Sequence, residues 1–288
     1  MIEAKVIADS IANEVRLTTI ELYAPKFLDA EIEKHRSLSS NSSSDRAKSF
    51  KRMSSEEPYI PTDVRSEERG MQGYEQVSPE VLENFQGDMR SLYYYVIDHL
   101  KPYEGIVHHQ HLNRYLLGWA MQHKVITSTE DWWEYFLGLR LAQDADPNIQ
   151  EVGNRIRMAL YDSEPTELEV GDWHLPYVTE VVLHKSSDSC DVLSLDTAIK
   201  CSVSRCAKVS YGNQGAGDIE KEIAMAEKLL AKRHFSCFEH QATPMPDDFA
   251  YLNNSGMGEW IKGITHIDRD DDLWSGNFRN WLQYRQMI

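Results

Sequence analysis

The sequence predicts a mixed α and β fold, and three observations carry that prediction. Short β-branched runs open the chain, apolar spacings of 3 and 4 fill its middle, and another strand-like run lies in its last third. No G-x-G-x-x-G follows a strand-like run and no repeat of solenoid period occurs, which argues against a Rossmann half and against a repeat array. A G-x-x-x-x-G-K-[ST] phosphate loop is also absent.

The elements follow in order. Lys5-Val6-Ile7-Ala8 and Arg16-Leu17-Thr18-Thr19-Ile20-Glu21-Leu22 read as strands. Pro25 stands where a helix can start, and Lys26 to Arg36 is helix-compatible. The Ser/Asn-dense stretch 37–46 follows. Residues 47–77 read as a long irregular segment punctuated by Pro58, Pro61, Gly70 and Gly73. Loops of that length inside compact folds are usually functional or mobile. Ser78-Pro79-Glu80 is a helix start, and Leu82, Phe85, Met89, Leu92 and Val96 form one apolar helix face behind it. Pro102 and Gly105 end it. Further helical regions are expected over about Gln110–His123, Glu130–Leu141 and Asn148–Tyr161, the last with the stripe Ile149, Val152, Ile156 and Ala159. Residues 162–185 hold turn formers. Ser202 to Tyr211 reads as a strand and its exit, and Asp218 caps a helix with the face Ile219, Ile223, Ala226 and Leu230. Residues 246–275 are acidic and loop-like, and 277–288 are mixed.

Composition narrows the function classes. The chain has 288 residues, 41% of them hydrophobic, and a net charge of −16. That length gives one large domain or two small ones with ample core. The charge disfavours nucleic acid as a partner, because it repels a phosphate backbone. No apolar run of about 18 residues is present to span a membrane. Met1-Ile2-Glu3-Ala4-Lys5 lacks the basic and apolar regions of a signal peptide. Cys190, Cys201, Cys206 and Cys237 form no C-x-x-C pair, so a zinc ribbon or thioredoxin-like motif is not expected, and reduced cytoplasmic thiols are.

Three constellations carry candidate chemistry. Lys34-His35-Arg36, followed by Ser39, Asn41, Ser44 and Arg46, sets cations beside hydroxyl and amide groups, as a phosphate cradle requires. The alternative is a solvated Ser-rich loop. His234-Phe235-Ser236-Cys237-Phe238-Glu239-His240 sets two histidines, a carboxylate and a hydroxyl within seven residues. It reads as a strand end, and with no third ligand nearby it gives little support to a metal site. Trp132 to Arg140 is an aromatic run at helical spacing, more core than site, with Arg140 at its end. Arg114 is similar, and His108-His109-Gln110-His111 lacks a carboxylate or cysteine partner at metal-ligand spacing.

The first constellation resembles the signature R-H-R-x-x-S-x-N-E-x-S-x-R-Y of flavin-dependent thymidylate synthases. His35, Arg36, Ser39, Asn41, Ser44 and Arg46 are identical to it, and Lys34 keeps a charge. The run His234–His240 resembles the family's H-x-S-P-F-E-H. Arg205-Cys206-Ala207-Lys208-Val209-Ser210-Tyr211 resembles R-A-A-R-V-S-F, and Phe136-Leu137-Gly138-Leu139-Arg140 echoes F-L-x-L-R. The order is circularly permuted: the H-x-S-P-F-E-H-like run follows the signature at a distance instead of preceding it. This layout resembles that of bacteriophage-borne relatives, which would place the protein in the host cytoplasm. The permutation is tolerable where chain ends meet, and the closing residues 280–285 are expected near Lys26–Arg36.

The resemblance implies an α+β fold, a curved mainly antiparallel sheet with helices packed on it, over residues 1–288 as one domain. It implies methylation of dUMP to dTMP with FAD, NADPH and methylenetetrahydrofolate, in a homotetramer with active sites between subunits. Ser44 and Arg140 are then the catalytic residues. Glu31, Lys34, Ser44, Arg46, Arg114 and Arg140 bind the nucleotide. Lys34, His35, Arg36, Asn41, His234, Ser236 and Glu239 bind the flavin region, and no metal is implied. Lys34, Ser42, Ala47 and Cys237 depart from the motifs, replacing arginine, glutamate, tyrosine and proline. These departures leave room for another product, such as 5-hydroxymethyl-dUMP, or for a non-catalytic nucleotide- or flavin-binding relative.

Overall fold

The computed structural model describes residues 1–69, 73, 75–178, 193–211, 217–246, 250–252 and 258–288. Cys190, Gly70 and parts of the 162–185 and 246–275 segments lie outside the described residues. The strands are β1 (Glu3–Ala12), β2 (Val15–Pro25), β3 (Ser39–Ser42), β4 (Met121–Thr129), β5 (Thr166–Glu167), β6 (Ala242–Pro244), β7 (Ala250–Leu252), β8 (Gly258–Trp260), β9 (His266–Ile267), β10 (Leu273–Ser275), β11 (Phe278–Arg279) and β12 (Trp281–Gln283). The helices are α1 (Asp29–Glu33), α2 (Phe50–Ser55), α3 (Pro79–Leu100), α4 (His109–Asn113), α5 (Glu130–Arg140), α6 (Pro147–Tyr161), α7 (Leu195–Ala207), α8 (Ile219–Ala231) and α9 (Tyr284–Met287).

The main sheet has the order β3-β4-β2-β1-β5, antiparallel except for the β1–β5 pair. This is the α+β, mainly antiparallel architecture expected. Asn13 and Glu14 both take positive φ (49° and 61°), as a tight two-residue connection between β1 and β2 requires. Opposite faces of the sheet carry different helices. Ile20 and Leu22 of β2 and Ile126 of β4 pack with Trp133 and Phe136 of α5 and Ile149, Val152 and Ile156 of α6. Val125, the neighbour of Ile126, points the other way, into Ala198 and Val203 of α7, Ala226 of α8, and Phe238. The strand alternation thus feeds two cores. Ile149, Val152 and Ile156 are fully buried, each contributing about 1.5–3 kcal/mol by removal from water.

Several elements differ from the sequence reading. A helix is expected over Gln110–His123, but only α4 and a 3-10 turn, Arg114–Leu116, are helical there, and the last three residues of that range open β4. β4 lies inside the sheet with its polar residues covered: Gln122, Lys124, Thr127, Ser128 and Thr129 are all buried, so no polar/apolar alternation marks it. The run expected as a strand over 202–211 is helical, because Ser194 caps α7 by accepting from Thr197 N. Its small Ser202, Ser204 and Cys206 sit fully buried where a helix must approach its neighbours closely. The expected strand end at His234–His240 is a 3-10 turn over Phe235–Phe238. The loop-like stretch 246–275 contains β7 to β10. The start of α3 is as expected, with Ser78 Oγ accepting from Val81 N at 3.3 Å. Its expected apolar face is only partly in the core: Val96 packs against the cluster that holds the buried Tyr93, Leu82 and Met89 are half-buried, and Phe85 and Leu92 are exposed, as are Val81 and Tyr95 beside them.

A buried polar chain crosses the sheet. Ser10 Oγ hydrogen-bonds His174 Nδ1 (2.9 Å), whose Nε2 meets Thr19 Oγ1 (2.7 Å). Thr19 Oγ1 pairs with Thr127 Oγ1 (2.7 Å), and Thr127 reaches His240 Nδ1 (2.9 Å). Burial pushes both histidines down to about 3, and for His240 the neighbouring His174 adds to it. Both rings are therefore neutral at ordinary pH.

Candidate active site

β3 and the loop after it form one wall of a cavity of about 330 Å³. Asn41, Ser44, Arg46 and Ala47 line that wall. The facing wall comes from the other end of the chain: Ala207, Ser210 and Tyr211 after α7, Met225 and Leu229 of α8, and His234, Ser236 and Cys237 of the 3-10 turn. Two sequence runs nearly 200 positions apart thus share one pocket. Asn41 Nδ2 donates to Cys206 O across it at 3.4 Å.

The Ser44 wall is held from behind. Asn113 Nδ2 donates to Asp45 O (2.9 Å) and Lys48 O (3.0 Å). Arg46 Nε donates to Gln110 Oε1 (3.0 Å), and Arg46 O is bonded by His109 Nε2 (2.9 Å). Arg46 N donates to Ser44 Oγ (3.3 Å). Lys26 pairs with Asp45 at 3.5 Å and donates to Gln122 Oε1 at 3.1 Å, while Gln122 Nε2 donates to Asp29 Oδ1 at 2.9 Å. Asp29 also pairs with Lys124 at 2.7 Å. Lys124 is fully buried, and it bonds Glu33 and Ser40 Oγ as well. A buried lysine needs such partners to stay charged. Lys26, Gln122 and Lys124 therefore tie α1, β3 and the loop together.

A second cluster holds Glu31, His35 and Arg140. Arg140 Nη1 pairs with Glu31 Oε2 (3.2 Å), Nη2 donates to Glu31 O (2.9 Å) and Nε donates to His35 Nε2 (3.1 Å). His35 is buried edge-on against Phe136, with ring centroids 4.8 Å apart. Burial, and then the charge of Arg140, lowers its pKa, so Nε2 stays free to accept. Lys34, Arg36 and Arg114 are exposed, and their side chains make no ion pair or hydrogen bond among the described residues. Glu239 pairs with Arg285.

The predicted residues other than Glu239, which pairs with Arg285 outside the pocket lining, therefore fall into three sets. Asn41, Ser44, Arg46, His234 and Ser236 share the pocket; Glu31, His35 and Arg140 share the second cluster; Lys34, Arg36 and Arg114 lie at the surface. The sequence reading missed Lys26, Gln122 and Lys124, for which no motif existed. It also missed Met225 and Leu229, which lie outside the helix face Ile219, Ile223, Ala226 and Leu230. Closing residues 280–285 reach Ser39, three residues beyond Arg36, and Glu239, as Gln283 Nε2 donates to Ser39 Oγ and Glu239 O. A larger cavity of about 660 Å³ contains none of the predicted residues. Its wall has Glu56, Glu57, Asp63 and Glu151 against Arg90, a poor match for a phosphate. Among the described residues no group of His, Cys, Asp and Glu could hold a metal, and His108 and His109 stack on each other at 4.2 Å.

Comparison with known proteins decides the family. Residues 9–166, more than half of the chain, match the model for thymidylate synthase complementing protein. The chain belongs to this family. The match takes in the signature residues from Glu31 to Arg46 as well as Arg114 and Arg140, and ends before His234, Ser236 and Glu239. The second wall of the pocket thus lies outside the segment that this family member shares with the model. The chain is also similar to two kinds of solved structure. One is the UMP/dUMP methylase PolB from Streptomyces cacaoi bound with 5-Br UMP, at 16% identity over 50% of this chain and 67% of that one, TM-score 0.43. The other is thymidylate synthase X from Helicobacter pylori with FAD and dUMP, at 13% identity over 50% and 67%, TM-score 0.34. No curated relative matches the chain.

Proposed function

We propose that the protein methylates dUMP at C5 to give dTMP, with methylenetetrahydrofolate as carbon donor, FAD as the redox group and NADPH as reductant. The observation that carries this reading is the shared pocket: Asn41, Ser44 and Arg46 face His234 and Ser236 although the two motifs stand at opposite ends of the sequence. Family membership supports it.

The donor set suits a phosphorylated ligand. Arg46 offers a planar fork, Ser44 and Ser236 offer hydroxyls, and Asn41 offers an amide. Tyr211, Met225 and Leu229 give the apolar lining that a ring needs. A cavity of about 330 Å³ holds a nucleotide-sized portion of such ligands, and the exposed Lys34, Arg36 and Arg114 are cations available for further phosphate groups. In this reading Ser44 and Arg46 hold the nucleotide phosphate. Arg140 meets the pyrimidine edge and stabilises negative charge at N3, with Glu31 beside it. Lys34, His35, Arg36, Asn41, His234 and Ser236 hold the flavin, and Glu239 orders its turn. The flavin, when bound, supplies the reducing chemistry.

Among the described residues, cysteine chemistry finds no support. Burial pushes the Cys237 thiol up to about 12 and the Cys206 thiol well above its ordinary value. Neither supplies thiolate at neutral pH.

The pocket and the Arg140 cluster are separate sets of residues, which fits active sites completed between subunits of a homotetramer. The exposed Val81, Phe85, Leu92 and Tyr95 along α3 offer an apolar face for such assembly. Within each subunit the whole chain acts as one domain whose motif-bearing ends meet. Light scattering of the purified protein tests the assembly, with a monomer as the contrary result. The function is tested by incubating the protein with dUMP, methylenetetrahydrofolate, FAD and NADPH and identifying the nucleotide by mass spectrometry. dTMP supports the reading, 5-hydroxymethyl-dUMP replaces it, and unchanged dUMP with a protein that takes up no flavin overturns it.

A further inference from the structure

Besides the Asn41–Cys206 bond, one buried side chain from the end of the sequence reaches both pocket walls from behind. β12 pairs with β6, which places Gln283 opposite Ala242 and 1% exposed. Its Nε2 donates to Ser39 Oγ (3.1 Å) on β3 and to Glu239 O (3.0 Å) at the end of the 3-10 turn. Asn277 completes the junction. Its Nδ2 donates to Ser37 O (2.6 Å) and Ser39 Oγ (3.1 Å). Ser39 lies two residues before Asn41 and Glu239 three after Ser236, so the contacts act just behind both walls. Gln283 Oε1 is itself held by Gln286 Nε2 at 3.3 Å, which fixes the amide orientation.

We propose that Gln283 is a positioning residue: its amide sets the spacing between the Asn41 wall and the Ser236 wall of the pocket by donating to both at once. An apolar side chain in its place leaves Glu239 O and Ser39 Oγ without that donor in a buried region, and each wall is then free to shift. A glutamate keeps the shape but donates only when its carboxyl is protonated.

The test uses the full chain. Amide hydrogen exchange is measured for residues 39–46 and 235–239, with α6 as the internal reference. In Gln283→Met, exchange should quicken about tenfold in both segments and stay unchanged in α6. Quickening in one segment only, or in neither, overturns the proposal. Gln283→Glu should show the same loosening at about pH 8 and recover toward the parent, compared at equal pH, at about pH 6, since burial raises a carboxyl pKa. A pH-independent Gln283→Glu overturns it too, and this variant carries the test if Gln283→Met fails to fold. Binding of dUMP and of FAD gives a second arm, which rests on the function proposed above. Both should weaken about tenfold in Gln283→Met. If the parent binds neither probe, the functional reading falls while the exchange result still decides the role of Gln283.

Discussion

Acid should unfold this protein through two histidines before its carboxylates matter. His174 and His240 sit at the two ends of a hydrogen-bonded chain through Thr19 and Thr127, both fully buried. Their folded pKa values are lowered to about 3, against an ordinary value of 6.5. A depressed histidine pKa means that the unfolded chain binds more protons than the folded one below pH 6.5, so stability falls as pH falls. At about pH 4.5 each histidine lies two pH units inside that window, and one unit is worth about 1.4 kcal/mol, giving about 3 kcal/mol per ring and about 5–6 for the pair. That is a large part of a typical total of about 5–15 kcal/mol. His35 and His123, also lowered by burial, act in the same direction. Asp9, whose pKa is lowered through its bonds to Arg16, Ser163 and Thr18 despite the opposing effect of burial, loses its contribution only as pH falls further, below the ordinary carboxylate value. Urea unfolding between pH 7 and 4.5 measures this directly. The slope of stability against pH near pH 5 should correspond to at least two protons in the parent and to one fewer in His240→Gln. Equal slopes in the two proteins would refute the reasoning, because His240 would then not be held neutral by the fold.

Three further outcomes follow. Arg140→Ala should abolish turnover of dUMP while leaving the far-ultraviolet circular dichroism unchanged, since Arg140 is half-buried and its partners Glu31 and His35 keep their backbone contacts; full activity would sink the assignment of Arg140. Cys237→Ser should keep appreciable activity, because a hydroxyl can replace the thiol that donates to His234 O at 3.4 Å; a variant that binds FAD and dUMP but is dead would bring a cysteine nucleophile back. Lys124→Met should lower stability by about 1–3 kcal/mol, less than for a fully buried pair, because Asp29 and Glu33 are 29% and 50% exposed and can turn to water. A more stable variant, measured by urea unfolding, would show that desolvating the ammonium outweighs its pairs.

Much of the fold was legible where one periodicity met one environment. α5 and α6 announce themselves because each buries one stripe and wets the other. β4 does not, because its buried faces carry Lys124, Thr127 and Ser128, whose partners lie on α1, β2, β3, Ser37 and His240. Nothing local in Gln122-His123-Lys124 encodes those partners. α7 misleads for the opposite reason: Ser202-Val203-Ser204-Arg205-Cys206 alternates like a strand, yet the serines are buried, and Ser202 Oγ donates to Pro176 O at 2.9 Å while Arg205 pairs with Glu222 at 3.1 Å. α3 was legible as a helix and only in part as core, since Val96 packs beside Tyr93 while Phe85 and Leu92 are exposed, and periodicity reports an apolar face without saying what covers it.

The pocket shows why motif order matters less than sheet pairing. A site of this kind needs its two groups of donors within a few ångströms, and any chain path that delivers them suffices. Here the β3–β4 ladder delivers Asn41 to one side, with Ser40 opposite Ile126 and Asn41 opposite Val125. The β6–β12 ladder anchors the other side, and Tyr284 N donates to Gln241 O at 2.9 Å just beyond it. The chain can therefore carry the H-x-S-P-F-E-H-like run after the signature instead of before it, provided that some residue replaces the short covalent connection between them. Gln283 meets that requirement with hydrogen bonds to both walls.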